Sequence, residues 1–252
     1  MMTKTALMDA FGAMGVSRGS MALAHSSFKS LGPVEGGPRA VIDVLVELVG
    51  PEGTVLFPTF NFRNWPDSHY FDIRHTPGAM GILGELARAT PAFMRTRHPI
   101  YSWAAAGRLR DRLAAIDTDN CYGEGSVFDV IHKEDAVMLS LGLHWNSTFS
   151  LTHHVEKMSG ACAYRFDKPF SGIYVGWDGV PALKTYSMMV RDISQGVETD
   201  IVPAMEEMLA AGAIRAHQVG AAVCHVSRGK EFFDALTAIV RRTPEKLHRK
   251  AR

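Results

Sequence analysis

The sequence predicts an α/β fold, in which one domain of 252 residues holds a mixed sheet flanked by helices. Apolar runs typical of strands alternate with helical patterns, as in "SMALAHS", "GGPRAVIDVLVELVG" and "GTVLFPTF". No internal repeat or linker divides the chain, whose length suits one large domain. The later part has strand-like runs separated by turn residues, which indicates antiparallel pairing.

The first half of the chain predicts two helices and two strands in alternation. Apolar residues at helical spacing predict a helix over 4–14, and a buried strand follows at 20–26. A helix over 36–50 has Pro38 in its first turn and Gly50 at its C-terminal cap. A second strand spans 53–60. The aperiodic stretch 61–76 predicts a long loop, and such loops are uncommon unless they bind something.

The second half continues the alternation. Thr76 and Pro77 predict a helix that runs to about Arg88, because Thr caps helices well and Pro fits a first turn. Strands are expected at 101–107 and 135–143. Beyond Pro169 the chain becomes strand-like. A helix near 201–212, a strand in "GAAVCHVS" and a final helix over 230–241 complete the prediction.

Composition excludes several functional classes. The 46% hydrophobic and 21% charged content is that of a soluble globular protein. No apolar run approaches the roughly 20 residues of a membrane span, and no secretory leader is recognisable, so we expect a cytoplasmic protein. Lys plus Arg is 27 and Asp plus Glu is 26, a balance that argues against nucleic-acid binding. Cys121, Cys162 and Cys224 are too widely spaced for a zinc motif and predict reduced, buried thiols.

The stretch "FSLTHHVE" (149–156) is the first candidate for chemistry. In a helix, Ser150, His153 and Glu156 form one polar stripe, while His154 points about 100° away. The spacing H-x-x-E is not a recognised metal motif, and no G-x-S-x-G turn for a serine nucleophile is present. We therefore expect no metal. A general base is the better role, since a neutral imidazole titrates near working pH.

The segment "HSSFKSLGPVEGG" (25–37) is a candidate anion site. Gly36 and Gly37 precede a helix whose free amides and dipole favour phosphate, and Ser26, Ser27 and Lys29 add donors. The segment matches no standard nucleotide-binding loop, so an ordinary Gly-rich connection is the alternative. His98 precedes Pro99, where a hydrogen-bonded turn residue is more common than a catalyst. Glu124 lies on a Gly-flanked turn in "CYGEGSVFD", where solvated glutamates are the rule.

In this order the motifs resemble those of the aminoglycoside 3-N-acetyltransferase family. The stretch "HSSFKSLGPVEGGPRAVIDVLVELVGPEGTVLFPTF" is similar to the family's N-terminal signature. "FDIRHTPGAMG", "RHPIYSWAAAG", "YGEGSVFD" and "FSLTHHVE" follow in the family's order, and the resemblance covers about residues 5–245. It implies acetyl-coenzyme A dependent N-acetylation on an α/β fold distinct from that of the GNAT acetyltransferases.

The resemblance also assigns roles to residues. The family's [ST]-x-x-H motif falls on Ser150 and His153, which makes His153 the catalytic histidine. Glu124 corresponds to the acidic partner of that histidine, and Glu156 is the other carboxylate that could hold it. Two segments correspond to parts that bind coenzyme A; their residues are Ser26, Ser27, Lys29, Val34, Gly36, Gly37, Pro99 and Ser102. Ser150 stands where Thr is usual, and Val127 replaces a Pro, which places the chain among divergent members.

The function expected is direct transfer of an acetyl group from acetyl-coenzyme A to a primary amine of an amino sugar or related small amine. His153 would act as general base, and no covalent enzyme intermediate is needed. The net charge of +1 favours a neutral or partly anionic acceptor over a polycation. The alternatives are an aminoglycoside 3-N-acetyltransferase that confers antibiotic resistance, and a non-catalytic relative that only binds coenzyme A or another ligand. A homodimer is compatible with the sequence.

Overall fold

The computed structural model describes residues 1–251, which alternate between helices and strands. The helices are α1 (Lys4–Ala13), α2 (Gly37–Val49), α3 (Ile82–Arg88), α4 (Arg110–Ala115), α5 (Val127–Lys133), α6 (Leu151–Ser159), α7 (Val202–Ala210) and α8 (Gly229–Arg242). The strands are β1 (Met21–Ser26), β2 (Thr54–Pro58), β3 (Tyr70–Asp72), β4 (Met94–Arg95), β5 (Trp103–Gly107), β6 (Val137–Leu141), β7 (Arg165–Val175), β8 (Pro181–Arg191), β9 (Val197–Thr199), β10 (Arg215–Val219), β11 (Ala222–Arg228) and β12 (His248–Lys250).

The main sheet of the described chain has seven strands in the order β10-β11-β6-β1-β2-β5-β4. β1 is parallel to β2 and β6, and the remaining pairs are antiparallel, so the expected mixed sheet is confirmed. Both faces of β1 are covered. Met21 and Leu23 pack into one hydrophobic core and Ala22 and Ala24 into the other, as alternation along a strand requires. This explains why β1 reads as a continuous apolar run.

A smaller sheet carries the long hairpin of the later chain. Its order is β3-β7-β8, with β7 and β8 antiparallel over their whole length, as the turn residues predict. β9 and β12 form a short antiparallel pair. In residues 1–251, no helix is long and apolar enough to cross a membrane.

Two predicted elements differ from the structure. α3 begins at Ile82 rather than at Thr76, because the Thr76 hydroxyl accepts a hydrogen bond from the backbone of Asp72 at 2.9 Å instead of capping a helix. Gly78 donates its N–H to Glu85 at 2.6 Å, which ties the preceding turn to the helix. The stretch 61–76 is not a structureless loop, since it holds a π-helical turn at 64–68 and β3.

The parallel strands place their carboxyl ends at one edge of the sheet, where ligands bind in open α/β folds. His25 lies near the end of β1, and Phe60 follows β2 by two residues. After β6 the chain passes through a 3₁₀ turn at 145–147 and enters α6. Three stretches that are distant in sequence therefore meet at this edge, and they enclose the main candidate site.

Candidate active site

A cavity of about 300 Å³ opens at the carboxyl edge of the parallel strands. Its aromatic wall consists of Phe60, Phe62, Tyr101 and Tyr122. Its polar lining consists of His25, Asn146, Ser147, Thr148, Ser150 and His153, with Met80 completing the wall. Among the described residues that line it, none is Asp or Glu. The pocket therefore combines an aromatic wall with hydroxyl, amide and imidazole groups.

His153 projects from the first turn of α6 into this cavity. Its Nδ1 lies 2.5 Å from Oε2 of Glu156, one helical turn later. The side chain of His153 is 28% exposed, whereas that of Glu156 is fully buried. The helical spacing thus builds the pair locally, as the polar stripe in the sequence predicts. Because a carboxylate only accepts hydrogen bonds, Nδ1 carries the proton and Nε2 is left with a lone pair.

The Glu156 carboxylate is held by two further residues that follow α6 in the chain. Arg165 donates from Nε to Oε1 at 3.0 Å, and the Tyr164 hydroxyl donates to the same oxygen. Burial alone would raise the pKa of Glu156, but the interaction with His153, the positive charge of Arg165 and these hydrogen bonds lower the pKa to about 2. Glu156 is therefore a stable anion beneath the histidine.

Glu124 does not occupy the place that the sequence assigns to it. It lies exposed on the turn before α5, and no hydrogen bond or ion pair joins it to His153 within residues 1–251. The expectation that Glu124 is the histidine's partner is wrong in the structure. A carboxylate one helical turn away, on the same element, reaches Nδ1 without any loop having to position it.

His154 points to the opposite side of α6. It is fully buried, and its Nδ1 donates to the backbone oxygen of Tyr122 at 2.7 Å. Burial is the largest influence on its pKa and lowers it. His154 does not line the cavity, so the expected division between the two adjacent histidines is present in the structure.

Ser150 contacts a residue that the sequence analysis did not single out. Its Oγ lies 3.0 Å from Nε2 of His25, which comes from β1 and is 3% exposed. Burial lowers the pKa of His25 to about 4, so its imidazole is neutral. The one indication in the sequence is a histidine near the end of an otherwise apolar strand. That histidine alone does not indicate that its partner is Ser150, at the start of α6.

The residues expected to bind coenzyme A divide into two groups. Ser26, Ser27 and Val34 are partly exposed along the loop between β1 and α2, and Lys29 and Gly36 are exposed. Gly36 is the N-terminal cap of α2 and has φ 76°, a conformation that favours glycine. This loop, with Gly37 at the start of α2, is accessible at the same edge of the sheet.

Ser102 and Pro99, in contrast, are buried. The Ser102 hydroxyl accepts a hydrogen bond from Arg95 Nε at 2.8 Å and lies 2.9 Å from the Thr59 hydroxyl. Ser102 is therefore fully buried immediately before β5, where it cannot contact a coenzyme directly. His98 is also buried, and its Nδ1 accepts from the backbone of Ile100 and Tyr101, as a turn residue would.

Comparison with known proteins identifies similarity along most of the chain. A family model described as aminoglycoside 3-N-acetyltransferase matches residues 23–241. An aminoglycoside N(3)-acetyltransferase III from Salmonella sp is 29% identical over 212 residues, 74% of this chain and 71% of that protein. The solved structure of aminoglycoside acetyltransferase AAC(3)-Xa has a TM-score of 0.82 at 26% identity and covers 97% of this chain and 93% of that one.

A second solved structure, AAC-IIIb in a binary complex with CoASH, has a TM-score of 0.81 at 22% identity, covering 95% of this chain and 96% of that one. It shows the same fold, and the expected non-GNAT α/β architecture is confirmed. The names of the relatives favour the alternative, an aminoglycoside acceptor, over the expected acceptor, an amino sugar or related small amine. The single domain, the homodimer and the cytoplasmic location stay predictions.

Proposed function

The chain belongs to the aminoglycoside 3-N-acetyltransferase family, and on this basis we propose that it transfers the acetyl group of acetyl-coenzyme A to an amine of an aminoglycoside. His153 is the general base of this reaction. The observation that carries the proposal is the 2.5 Å contact between His153 Nδ1 and the buried Glu156 carboxylate. The side chain of His153 lines the cavity at the carboxyl edge of the parallel strands.

The first step of the reaction is removal of a proton from the acceptor amine, and the His153–Glu156 pair is arranged to accept that proton. An amine is an ammonium ion at neutral pH and has no lone pair for attack. With Nδ1 donating to Glu156, Nε2 of His153 is free to take that proton directly or through a water molecule. The imidazolium that results lies against a carboxylate that Arg165 keeps ionised, so the charge is stabilised where it forms.

The transfer then balances without a covalent enzyme intermediate. The amine nitrogen bonds to the thioester carbonyl carbon, and the bond between that carbon and sulfur breaks. The electron pair leaves with the sulfur as a thiolate. The nitrogen loses its second proton as the amide forms, this proton goes to the thiolate, and the proton held by His153 is released to solvent. Negative charge develops on the carbonyl oxygen during attack, and it requires a hydrogen-bond donor nearby.

The Ser150 hydroxyl can donate a hydrogen bond to this oxygen, because its contact with His25 orients it. The Nδ1 atom of His25 is buried and has no hydrogen-bond partner within residues 1–251. An unpaired buried N–H is rarer than an unpaired acceptor, so the favoured tautomer carries its proton on Nε2 and donates to Ser150 Oγ. The Ser150 hydroxyl proton is then available to the pocket. His25 acts through Ser150 and is a positioning residue.

The loop between β1 and α2 is proposed to hold the phosphates of coenzyme A. It lies beside His25 at the carboxyl edge of the sheet. The Gly37 N–H already donates to the backbone oxygen of Val34 at 3.1 Å and Pro38 has no N–H, so the amides that α2 can offer to a phosphate begin at Arg39. Lys29 is exposed on the same loop and adds a positive charge. Ser26 and Ser27 bring hydroxyl groups next to the end of β1. Pro99 and Ser102 are left out of the contact set because they are buried.

A second acceptor is supported by one observation, the lack of carboxylates in the described pocket lining. A site for a compound with several ammonium groups would be expected to focus negative charge. Here the carboxylate that contacts His153, Glu156, is already paired with Arg165. An amino sugar with fewer ammonium groups, including one that carries phosphate, therefore fits the aromatic and hydroxyl lining of the pocket itself.

Thiol release from acetyl-coenzyme A, measured across aminoglycosides, amino sugars with one amine and simple amines, tests the proposal. All three cysteines are buried, which keeps the protein's own reaction with a thiol reagent low. A kcat/KM above about 10⁴ M⁻¹s⁻¹ for an aminoglycoside, the low end of ordinary efficiency, supports the first acceptor. The same value only for a sparsely charged amino sugar supports the second. Binding of coenzyme A with no turnover of any amine would overturn both.

A further inference from the structure

We propose that Asp129, His132 and His154 form a binding site for a divalent transition-metal ion of the zinc class. The site lies on the side of α6 that faces away from the acceptor pocket. The metal-ligating atoms of these three side chains all lie within 4.8 Å of one another. Nothing in the proposed transfer reaction uses any of them, and the sequence predicts no metal.

The cluster combines a local pattern with a tertiary contact. Asp129 and His132 are three residues apart on α5, so they share one helix face. His154 reaches the same place from α6, and the His132 and His154 rings have centroids 5.6 Å apart. The spacing D-x-x-H is visible in the sequence. The third ligand appears only once α5 and α6 are packed together.

His154 provides the observation that points to a ligand. It is fully buried, its Nδ1 donates to the backbone oxygen of Tyr122 at 2.7 Å, and its Nε2 has no partner within residues 1–251. A backbone carbonyl on one nitrogen fixes the tautomer and leaves a lone pair on the other. Histidines that bind metals are oriented by this kind of second contact.

His132 and Asp129 are also held in place. The His132 ring stacks on Phe233 of α8, with centroids 3.9 Å apart and planes 12° apart, so its nitrogen-bearing edge is not covered by that contact. Asp129 is 5% exposed and accepts at Oδ2 from Gly125 N–H and Lys133 Nζ, both at 2.8 Å. Both contacts use one oxygen, so the other can bind an ion without displacing them.

Two imidazoles and one carboxylate select the type of metal. Mg²⁺ and Ca²⁺ prefer oxygen ligands, whereas imidazole suits zinc, copper and nickel. Ligands at about 2.0–2.1 Å from a tetrahedral zinc ion are roughly 3.3 Å apart, so the three atoms, which lie within 4.8 Å of one another, need to approach by at most about 1.5 Å. Three protein ligands leave a fourth position for water. Because His132 is only partly buried, the ion can enter on that side.

A metal at this site would join α5 to α6, the helix that carries His153. The Tyr122 carbonyl that holds His154 belongs to a residue whose ring contacts His153, with centroids 5.3 Å apart. The expected consequence is a more stable connection beneath the catalytic histidine. Stability, rather than acetyl transfer, is therefore the property that metal binding should change.

Calorimetric titration of the full chain with Zn²⁺ is the test, with Co²⁺ absorption as a second measure of the ligand geometry. We expect saturable binding of one equivalent, a higher melting temperature and intense visible bands of four-coordinate Co²⁺. His132→Ala should weaken binding by at least about 10-fold, the lower range for disturbing a metal site. His75→Ala removes an exposed histidine elsewhere and should leave the affinity unchanged.

Lys133→Gln provides a variant that should strengthen binding. Lys133 is exposed and pairs with Asp129, so its removal should tighten the Zn²⁺ affinity by about 2- to 5-fold, the worth of an exposed ion pair. A loss of binding in His153→Asn would place the ion in the acceptor pocket and overturn the proposal. So would equal Zn²⁺ affinities in the wild type and the folded His132→Ala variant, or no saturable binding at all.

Discussion

The two sides of helix α6 carry adjacent histidines with opposite surroundings. His153 lines a cavity, and its Nδ1 donates a hydrogen bond to the buried Glu156 carboxylate. His154 faces the packed interior between α5 and α8, where its only hydrogen bond is to the Tyr122 backbone in the described chain. Both imidazoles donate from Nδ1, yet only one has a free nitrogen next to open space.

The surroundings of each histidine, rather than the residue type, determine which chemistry it can perform. Adjacent residues of a helix point about 100° apart, so the same side chain meets solvent and a carboxylate at one position and packed rings at the next. His153 can exchange a proton with a small molecule in the cavity. His154 can offer a lone pair only to something that enters the buried side.

Replacing the pocket histidine should produce the largest effect. His153→Ala is expected to lower kcat by about 10²–10⁴-fold, the usual worth of a general base. His154→Asn keeps a donor for the Tyr122 carbonyl and should reduce kcat far less. Steady-state kinetics at saturating substrates check this. Equal small reductions of kcat in the two variants would contradict the assignment of different roles to His153 and His154.

Replacing the anion beneath His153 should have the next largest effect. Glu156→Gln is expected to lower kcat by about 10²-fold, the lower end of the general-base range, because the imidazolium loses its carboxylate. It also leaves the buried Arg165 guanidinium without its ion pair, which costs about 3–5 kcal/mol of stability. Urea unfolding measures this loss, and an unchanged midpoint would contradict the paired arrangement.

The stability of the Glu156 network should also depend on pH. The pKa of Glu156 is lowered from 4.5 to about 2 in the folded chain, so its contribution is fully present above the unfolded value. It is lost as the pH falls through that range. The difference in unfolding free energy between wild type and Glu156→Gln should therefore shrink between pH 5 and pH 2. A difference that is constant with pH would contradict an ionised Glu156.

The contact between His25 and Ser150 predicts a smaller effect on the pocket side. His25→Leu should lower kcat by about 10-fold, less than the roughly 10²-fold cost of a direct oxyanion donor. His25→Gln places an amide N–H near the position of Nε2 and should restore most of kcat. The KM values should change little. If Leu and Gln variants behave alike, the donor at Nε2 has no part in the reaction.

The smallest expected effect concerns coenzyme binding. Gly37→Val should raise the KM for acetyl-coenzyme A by about 2- to 10-fold, the worth of one hydrogen bond, before acceptor binding changes. Gly196→Val is a matched control, because both glycines have positive φ and open space around the Cβ position. Calorimetry that finds the same coenzyme affinity in both variants would remove the loop from the site.

Local patterns predicted much of the fold and part of the site. The strands of the main sheet and the stripe of Ser150, His153 and Glu156 depend on spacing along one element, which the sequence displays directly. α3 begins later than its predicted start at Thr76, because the Thr76 hydroxyl accepts a hydrogen bond from the Asp72 backbone in a turn. That choice depends on three-dimensional contacts that propensity does not contain.

The rest of the site depends on packing between distant stretches. His25 meets Ser150 across 125 residues of chain, and the burial of Ser102 follows from its contacts with Arg95 and Thr59. The family motif favours Glu124 as the partner of His153, although Glu156 lies on the same helix as the histidine. Sequence periodicity does not show contacts between distant stretches. Only the structure could therefore distinguish Glu156, the observed partner of His153, from Glu124, the partner that the family motif predicts.

Chemical rescue of His153→Ala shows whether the group lost in this variant is a proton acceptor. The cavity of about 300 Å³ can admit imidazole beside the truncated side chain. We predict that added imidazole restores acetyl transfer in His153→Ala in proportion to its free-base concentration, and that it leaves His154→Ala unchanged. Failure to rescue His153→Ala, or equal rescue of both variants, would contradict the assignment of His153 as the general base.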